Sequence, residues 1–369
     1  LSFGGWINAV IPVLIVPYYS VIGGWVIKYL VEYFRGNAKL LAEDGYFTDF
    51  ISNGVSTELC FVAFCAFTLI IIFAGVQNGI ERVSKIMMPI LIVLSVIIAV
   101  YSVTRPGALA GVKYFLVPNV KNFSWMTVVS AMGQMFYSLS IAMGILITFG
   151  SYMKKDTAIE DSTRNVEVFD TGIAIMAGLM IIPAVFAFSG GDPDTLQAGP
   201  SLMFITIPKV FQNMGFGTVI GIVFFLLVLF AAVTSSIALT ESAVSTFEDE
   251  LGWGRKKATV LVGVIMLALG SLSSLGYGPL AGIKIIGMQF LDLFDFLTNS
   301  VMMPIAALLT SLLVSRVVGI DKIEEEIIHG ESAFRRKKVF VVMIKYLCPV
   351  FAIIILLSSV ANALGWIKM

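Results

Sequence analysis

Apolar and polar positions alternate along this chain in long blocks rather than with the short period of a soluble helix or strand. Nine apolar stretches are long enough to cross a bilayer as helices, for which about 20 residues are needed. They are 5–33, 58–77, 85–104, 123–150, 166–189, 215–246, 256–276, 283–316 and 338–365. Short polar segments separate them. The longer segment 190–214 has an apolar pattern of its own, with Leu202, Phe204, Ile207 and Phe211. It is expected to form an extracellular helical hairpin lying over one face rather than a span. The pattern therefore predicts an all-α membrane protein with a single transmembrane domain over 1–369.

Composition agrees: 58% of the 369 residues are hydrophobic and 13% are charged, against about a quarter charged in soluble domains. The formal net charge is zero, which gives a nucleic-acid partner no electrostatic support. Cys60, Cys65 and Cys348 read as small buried hydrophobes, and the single histidine, His329, lies in a charged loop. No nucleophile elbow, H-E-x-x-H or P-loop is present, which argues against an enzyme and excludes an ATP-driven pump within this chain. The chain opens at Leu1 without Met and without a basic leader, so its start is not a signal peptide, and a preceding segment is expected.

Alternate loops carry Arg82 and Lys85; Lys154, Lys155 and Arg164; Arg255 to Lys257; and Arg316 to Lys338. These outnumber the cations of the opposite set, which include Arg35, Lys39, Arg105, Lys113 and Lys121. The richer set is expected on the cytoplasmic side, so the chain should start inside and end outside, multi-pass in the cell's inner (plasma) membrane.

Inside the fourth apolar stretch, Ser138, Ser140 and Gly144 fall near mid-bilayer. Two readings are open. The serines can bond back to the preceding turn of a continuous helix, or the helix can stop and offer amides and carbonyls to a ligand, which hydrocarbon tolerates only where the backbone faces protein or a wet cavity. In the sixth stretch Thr234, Ser235 and Ser236 are adjacent hydroxyls after Ala231 and Ala232. They serve close helix packing or form an all-oxygen site for a hard cation. Asp170 opens the fifth stretch and is either a helix cap or a functional intramembrane acid. Asp295, flanked by apolar residues on both sides, has the weaker structural reading. Glu248 to Glu250 read as a solvated turn, and 321–326 as a short amphipathic surface helix.

Four segments carry a resemblance: GVQNGIERVSKIMMP (75–89), MGQMFYSLSIAMGILITFGSYMKKD (132–156), FITIPKVF (204–211) and FAAVTSSIAL through FEDELGWGRKKA (230–258). Together, and in order over nearly the whole chain, the sequence resembles the neurotransmitter:sodium symporter family, above all its bacterial leucine, tryptophan and tyrosine carriers. The resemblance implies the inverted-repeat, broken-helix fold, with this chain holding spans three to eleven and lacking the first two. It implies sodium-coupled symport of a hydrophobic or aromatic amino acid by alternating access.

Residue by residue, the resemblance makes Ile15, Tyr19, Tyr137, Ser140, Met143, Ser235 and Leu239 substrate-binding, with Tyr137 as the outer lid. Ser138 and Asp170 match the first sodium site; Ala231, through its carbonyl, with Thr234 and Ser235 matches the second. Both sites are expected to be only partly present, since the family's first span supplies other ligands. Asp295 matches the acidic half of an extracellular gate and Asp249 that of a cytoplasmic gate, which Tyr152 supports. Met143 stands where phenylalanine is frequent and Ala142 where glycine is, which suits varied apolar side chains. Gln134 and Ser138 match chloride contacts, but Asp170 supplies negative charge itself, so chloride is expected not to be required. Two alternatives remain: a proton-coupled permease of the same architecture, in which a lysine often fills the second-site region, and a non-transporting membrane receptor or scaffold.

Overall fold

A computed structural model describes residues 2–192, 195–196, 199–364 and 366. Among them, eight helices are long and apolar enough to cross a membrane. They are Phe3–Phe34, Gly54–Phe73, Val76–Val103, Ile159–Ser189, Gly217–Leu251, Arg255–Leu275, Phe290–Val318 and Lys337–Ala363. A ninth apolar stretch forms two shorter helices, α7 (Trp125–Ser138) and α8 (Ile145–Ser151), separated by a break. No strand occurs among the described residues beyond one isolated bridge, Ile285 with Met288.

The helix around which the others gather is α1 (Ser2–Phe34). It packs on α4 (Gly54–Phe73), α11 (Gly217–Leu251), α12 (Arg255–Leu275) and α14 (Met303–Leu312). Hydrocarbon gives apolar helices no reason to leave lipid for one another, so close packing must supply it. Small residues provide the approach. A Cβ on Gly24 would lie 2.7 Å from the Phe61 backbone nitrogen, and one on Gly270 would lie 2.1 Å from the Phe61 ring. Phe61 thus fills a slot between α1 and α12 that only glycine leaves open. At the other extreme, Lys337–Ala363 is the least buried span and forms the lipid-facing margin.

Several boundaries differ from the hydropathy pattern for visible reasons. Helix α9 (Ile159–Ser189) begins seven residues before the apolar stretch at 166, because Glu160, Asp161, Arg164 and Glu167 continue it as a charged extension beyond hydrocarbon. The span expected from 283 begins at Phe290; Ile283 and Ile285 are apolar but lie in a turn where Ile286 has φ 53° and Gly287 φ 77°. Residue 365, the expected end of the last span, lies outside the described residues, as do 193, 194, 197 and 198 of the expected hairpin. The described remainder of 190–214 contains one apolar helical run, Leu202–Gln212, whose second half is α10 (Ile207–Gln212).

That run is seated on an aromatic bed. Phe204 stacks on Phe47 with centroids 5.2 Å apart and meets Trp25 and Tyr29 edge-on. The Tyr29 hydroxyl donates to the Phe204 carbonyl at 2.7 Å. Lys209 pairs with Asp44, and its ammonium holds that exposed carboxyl below the usual range. The segment therefore covers the end of α1 opposite to the break.

Candidate functional site

The break decides between the two readings of the mid-membrane serines. Leu139 still donates to the Met135 carbonyl at 3.0 Å and Ile141 to Phe136 at 3.0 Å; the ladder resumes only where Thr148 donates to Gly144 at 3.0 Å. Between them the backbone turns left-handed three times, at Ser140 (φ 53°), Ala142 (φ 60°) and Gly144 (φ 73°). For L-residues such a conformation costs about 1–2 kcal/mol each. Gly144 is the position with no room for a side chain: a Cβ would sit 2.9 Å from the Asn8 carbonyl and 2.9 Å from Ser242 Oγ. The Ser138 hydroxyl, instead of bonding back along its helix, donates to Asp170 Oδ1 on α9 at 2.5 Å.

The break faces α1 and α11 across a cleft of about 440 Å³. Its walls include Tyr19 from α1; Tyr137, Ser138, Ser140 and Met143 from the break; and Thr234, Ser235 and Leu239 from α11. Met88, Gln134, Ile145 and Ala238 complete it. Six of the seven substrate residues expected from sequence therefore meet in one cavity. Ile15, the seventh, is 1% exposed in the hydrophobic core and does not line it. Of the expected sodium ligands, Ser138, Thr234 and Ser235 reach the cleft, and Asp170 joins through Ser138. Thr234 Oγ1 donates to the Ala231 carbonyl at 3.0 Å and to Phe230 at 3.1 Å, which gathers neutral oxygens beside Ser235. Among the described residues no group of three His, Cys, Asp or Glu could hold a metal ion. Any cation here would rely on hydroxyls and carbonyls with a single carboxylate, a donor set that suits a hard monovalent ion.

On the side expected to be outer, Asp295 closes α13 (Phe290–Asp295). It accepts from Asn299 Nδ2 at 2.6 Å and from the Tyr18 hydroxyl at 3.3 Å, so it stands beside the residue adjoining Tyr19. On the opposite side, expected to be cytoplasmic, the Tyr152 hydroxyl does not meet Asp249, which is exposed; it donates to Glu241 at 2.8 Å. Glu241 is 0% exposed and takes two bonds from Arg255, at 2.9 and 2.6 Å, with Glu248 3.6 Å from the same guanidinium. Arg255 also donates to the Ile72 carbonyl at 3.0 Å, which ties α4 to the cluster. The sequence reading missed Glu241 and Arg255 as a unit. The signal was present: Glu241 is a carboxylate inside an apolar span, and such acids are costly and seldom idle.

Comparison with known proteins places these features in a family. The model of the sodium:neurotransmitter symporter family matches residues 48–366. The chain is 34% identical over 360 residues to an uncharacterized sodium-dependent transporter, YhdH, of Bacillus subtilis, covering 96% of this chain and 79% of that one. It is 30% identical to an uncharacterized sodium-dependent transporter of Haemophilus influenzae, over 94% of this chain and 76% of that one. Among solved structures, the crystal structure of MhsT in complex with L-phenylalanine superposes with a TM-score of 0.83 at 33% identity, covering 97% of this chain and 81% of that one.

Proposed function

The chain belongs to the sodium:neurotransmitter symporter family, a family of multi-pass sodium-dependent transporters and not enzymes, and from that premise we propose that it carries a hydrophobic or aromatic amino acid into the cell with sodium. The observation that carries this reading is the convergence of the α7–α8 break with α11. It sets unbonded main chain, Tyr19, Tyr137 and Met143 around one cleft, with hydroxyl oxygens on two of its sides. The free amides between Ile141 and Thr148 suit a substrate carboxylate, as half-helix ends do in broken-helix transporters. Met143 and Leu239 give the side chain an apolar seat, and Met adapts to different shapes. The bound L-phenylalanine of MhsT is of the same chemical class.

Two sodium sites are each partly represented by donors in this chain, one by Ser138 and Asp170, one by Ala231, Thr234 and Ser235. In the alternating-access cycle, sodium favours an outward-facing state, Tyr137 closes over the substrate, and rocking opens the cytoplasmic side. Asp295 with Tyr18 marks the outer gate; Tyr152 marks the inner one, with Asp249 at its aqueous edge. The absence of a lysine from the α11 wall supports sodium over proton coupling.

Radiolabelled leucine, tryptophan, tyrosine and phenylalanine should bind the purified full-length protein in sodium and not in potassium; equal binding in both salts would end the coupling claim. Thr234→Val should raise the half-saturating sodium concentration several-fold while leaving maximal substrate capacity nearly intact. Because Asp170 brings a negative charge to Ser138, replacing chloride by gluconate should leave binding and uptake unchanged. Loss of uptake in gluconate would show that the carboxylate does not stand in for the anion.

A further inference from the structure

Remote from the central cleft, α6 (Ala108–Leu116) runs between the outer ends of α5 (Arg82–Val103) and α7. It lies hard against α9: a Cβ on Gly111 would come 2.7 Å from Pro183 Cα, and one on Gly178 would come 2.2 Å from the Phe115 ring. The chain then leaves α9 before entering α7, and a cavity of about 1010 Å³ opens between the three elements. Its walls are aromatic and aliphatic, with Tyr114, Phe115, Val120, Phe123 and Phe186 among them, and Lys113 is its single charged group. The Tyr114 and Phe186 rings are 4.9 Å apart on the α6–α9 side.

Three observations identify what fits. The volume lies at the top of the ~300–1,000 Å³ range of small-molecule sites, and the walls suit a hydrocarbon chain. The depth is that of lipid headgroups, since Phe123 and Trp125 are 61% and 82% exposed where the chain enters α7, the place where aromatic belts form. The charge is unmatched: from Arg82 to Lys155 the sequence has no Asp or Glu, and neither Lys113 nor Lys121 forms an ion pair among the described residues. Cations on the outer side run against the usual loop bias, and no ion pair among the described residues accounts for these two.

We propose that this cleft is a binding site for an anionic phospholipid of the outer leaflet, with the phosphate on Lys113, Lys121 at the rim, and an acyl chain laid along Phe115, Phe123 and Phe186. Occupancy would brace the outer end of α7, the half-helix whose inner end carries Tyr137 and Ser138.

The test is native mass spectrometry of the purified protein released from vesicles containing equal amounts of phosphatidylglycerol and phosphatidylethanolamine. Wild type should retain one phosphatidylglycerol in preference to phosphatidylethanolamine. Lys113→Gln should lower that retention about fivefold, the worth of one lysine near an anionic headgroup, and Lys113→Arg should restore it. Ala110→Trp, which fills the cleft from an exposed position without changing charge, should remove it. Equal retention of the two lipids by wild type, or retention of phosphatidylglycerol unchanged in Lys113→Gln or Ala110→Trp, would overturn the proposal. None of these readouts depends on transport.

Discussion

Two neighbouring residues of the break invite opposite substitutions. Gly144→Ala places a Cβ at φ 73° and drives it to 2.9 Å from the Asn8 carbonyl. The left-handed conformation alone costs about 1–2 kcal/mol, so the variant should melt earlier in detergent and lose substrate affinity. Ala142→Gly removes a Cβ already held at φ 60° and should leave the melting temperature unchanged or higher. Equal losses in both variants would mean that strain in the break is not what distinguishes them. From sequence, the residue types of this region were legible, because serines and a glycine in mid-membrane are anomalous. The choice between back-bonded hydroxyls and an interrupted helix was not. It turns on Asp170, 32 residues away, taking the Ser138 hydrogen bond, and local pattern carries no information about a partner on another helix.

At the scale of elements, α4, α11 and α12 meet at one end through Glu241 and Arg255. Removing one member of a buried ion pair costs about 3–5 kcal/mol, whereas replacing both by apolar residues is often neutral. The lower end of that range applies here, because Arg255 keeps 22% of its side chain exposed. Arg255→Met should therefore lower thermal stability markedly, and Arg255→Met with Glu241→Met should recover much of it. A double variant no better than the single would show that the pair acts through its charges rather than through relief of a stranded carboxylate. The apolar stretches fall on helices, but the helix ends do not follow hydropathy: the charged turns of α9 were hidden because a helix can leave hydrocarbon without ending. The inner cluster was hidden differently. Asp249 drew attention as the acid of a recognisable motif, while the buried acid, Glu241, lies eight residues earlier, between Thr240 and Ser242 inside an apolar span.

For the whole molecule, orientation is the property that composition alone predicts. The positive-inside reading places 43 outside and 256 inside. With the native cysteines replaced, Glu43→Cys should react with a membrane-impermeant maleimide on intact cells, and Lys256→Cys only after permeabilisation. Both positions are exposed, so burial does not confound the result. The reverse pattern would invert every assignment of outer and inner gate.

Helix α1 also sets a timetable. It is made first of the described spans, and although its partner α4 follows at residue 54, its other partners α11, α12 and α14 begin only at residues 217, 255 and 303. During synthesis it must wait beside the insertion machinery, with Asn8, Lys28 and Glu32 in its apolar length, until chain emerging much later encloses it. A ribosome that stops before residue 217 leaves this helix covered by α4 alone among these partners, and quality-control proteases should remove such products faster than ones that stop after α14.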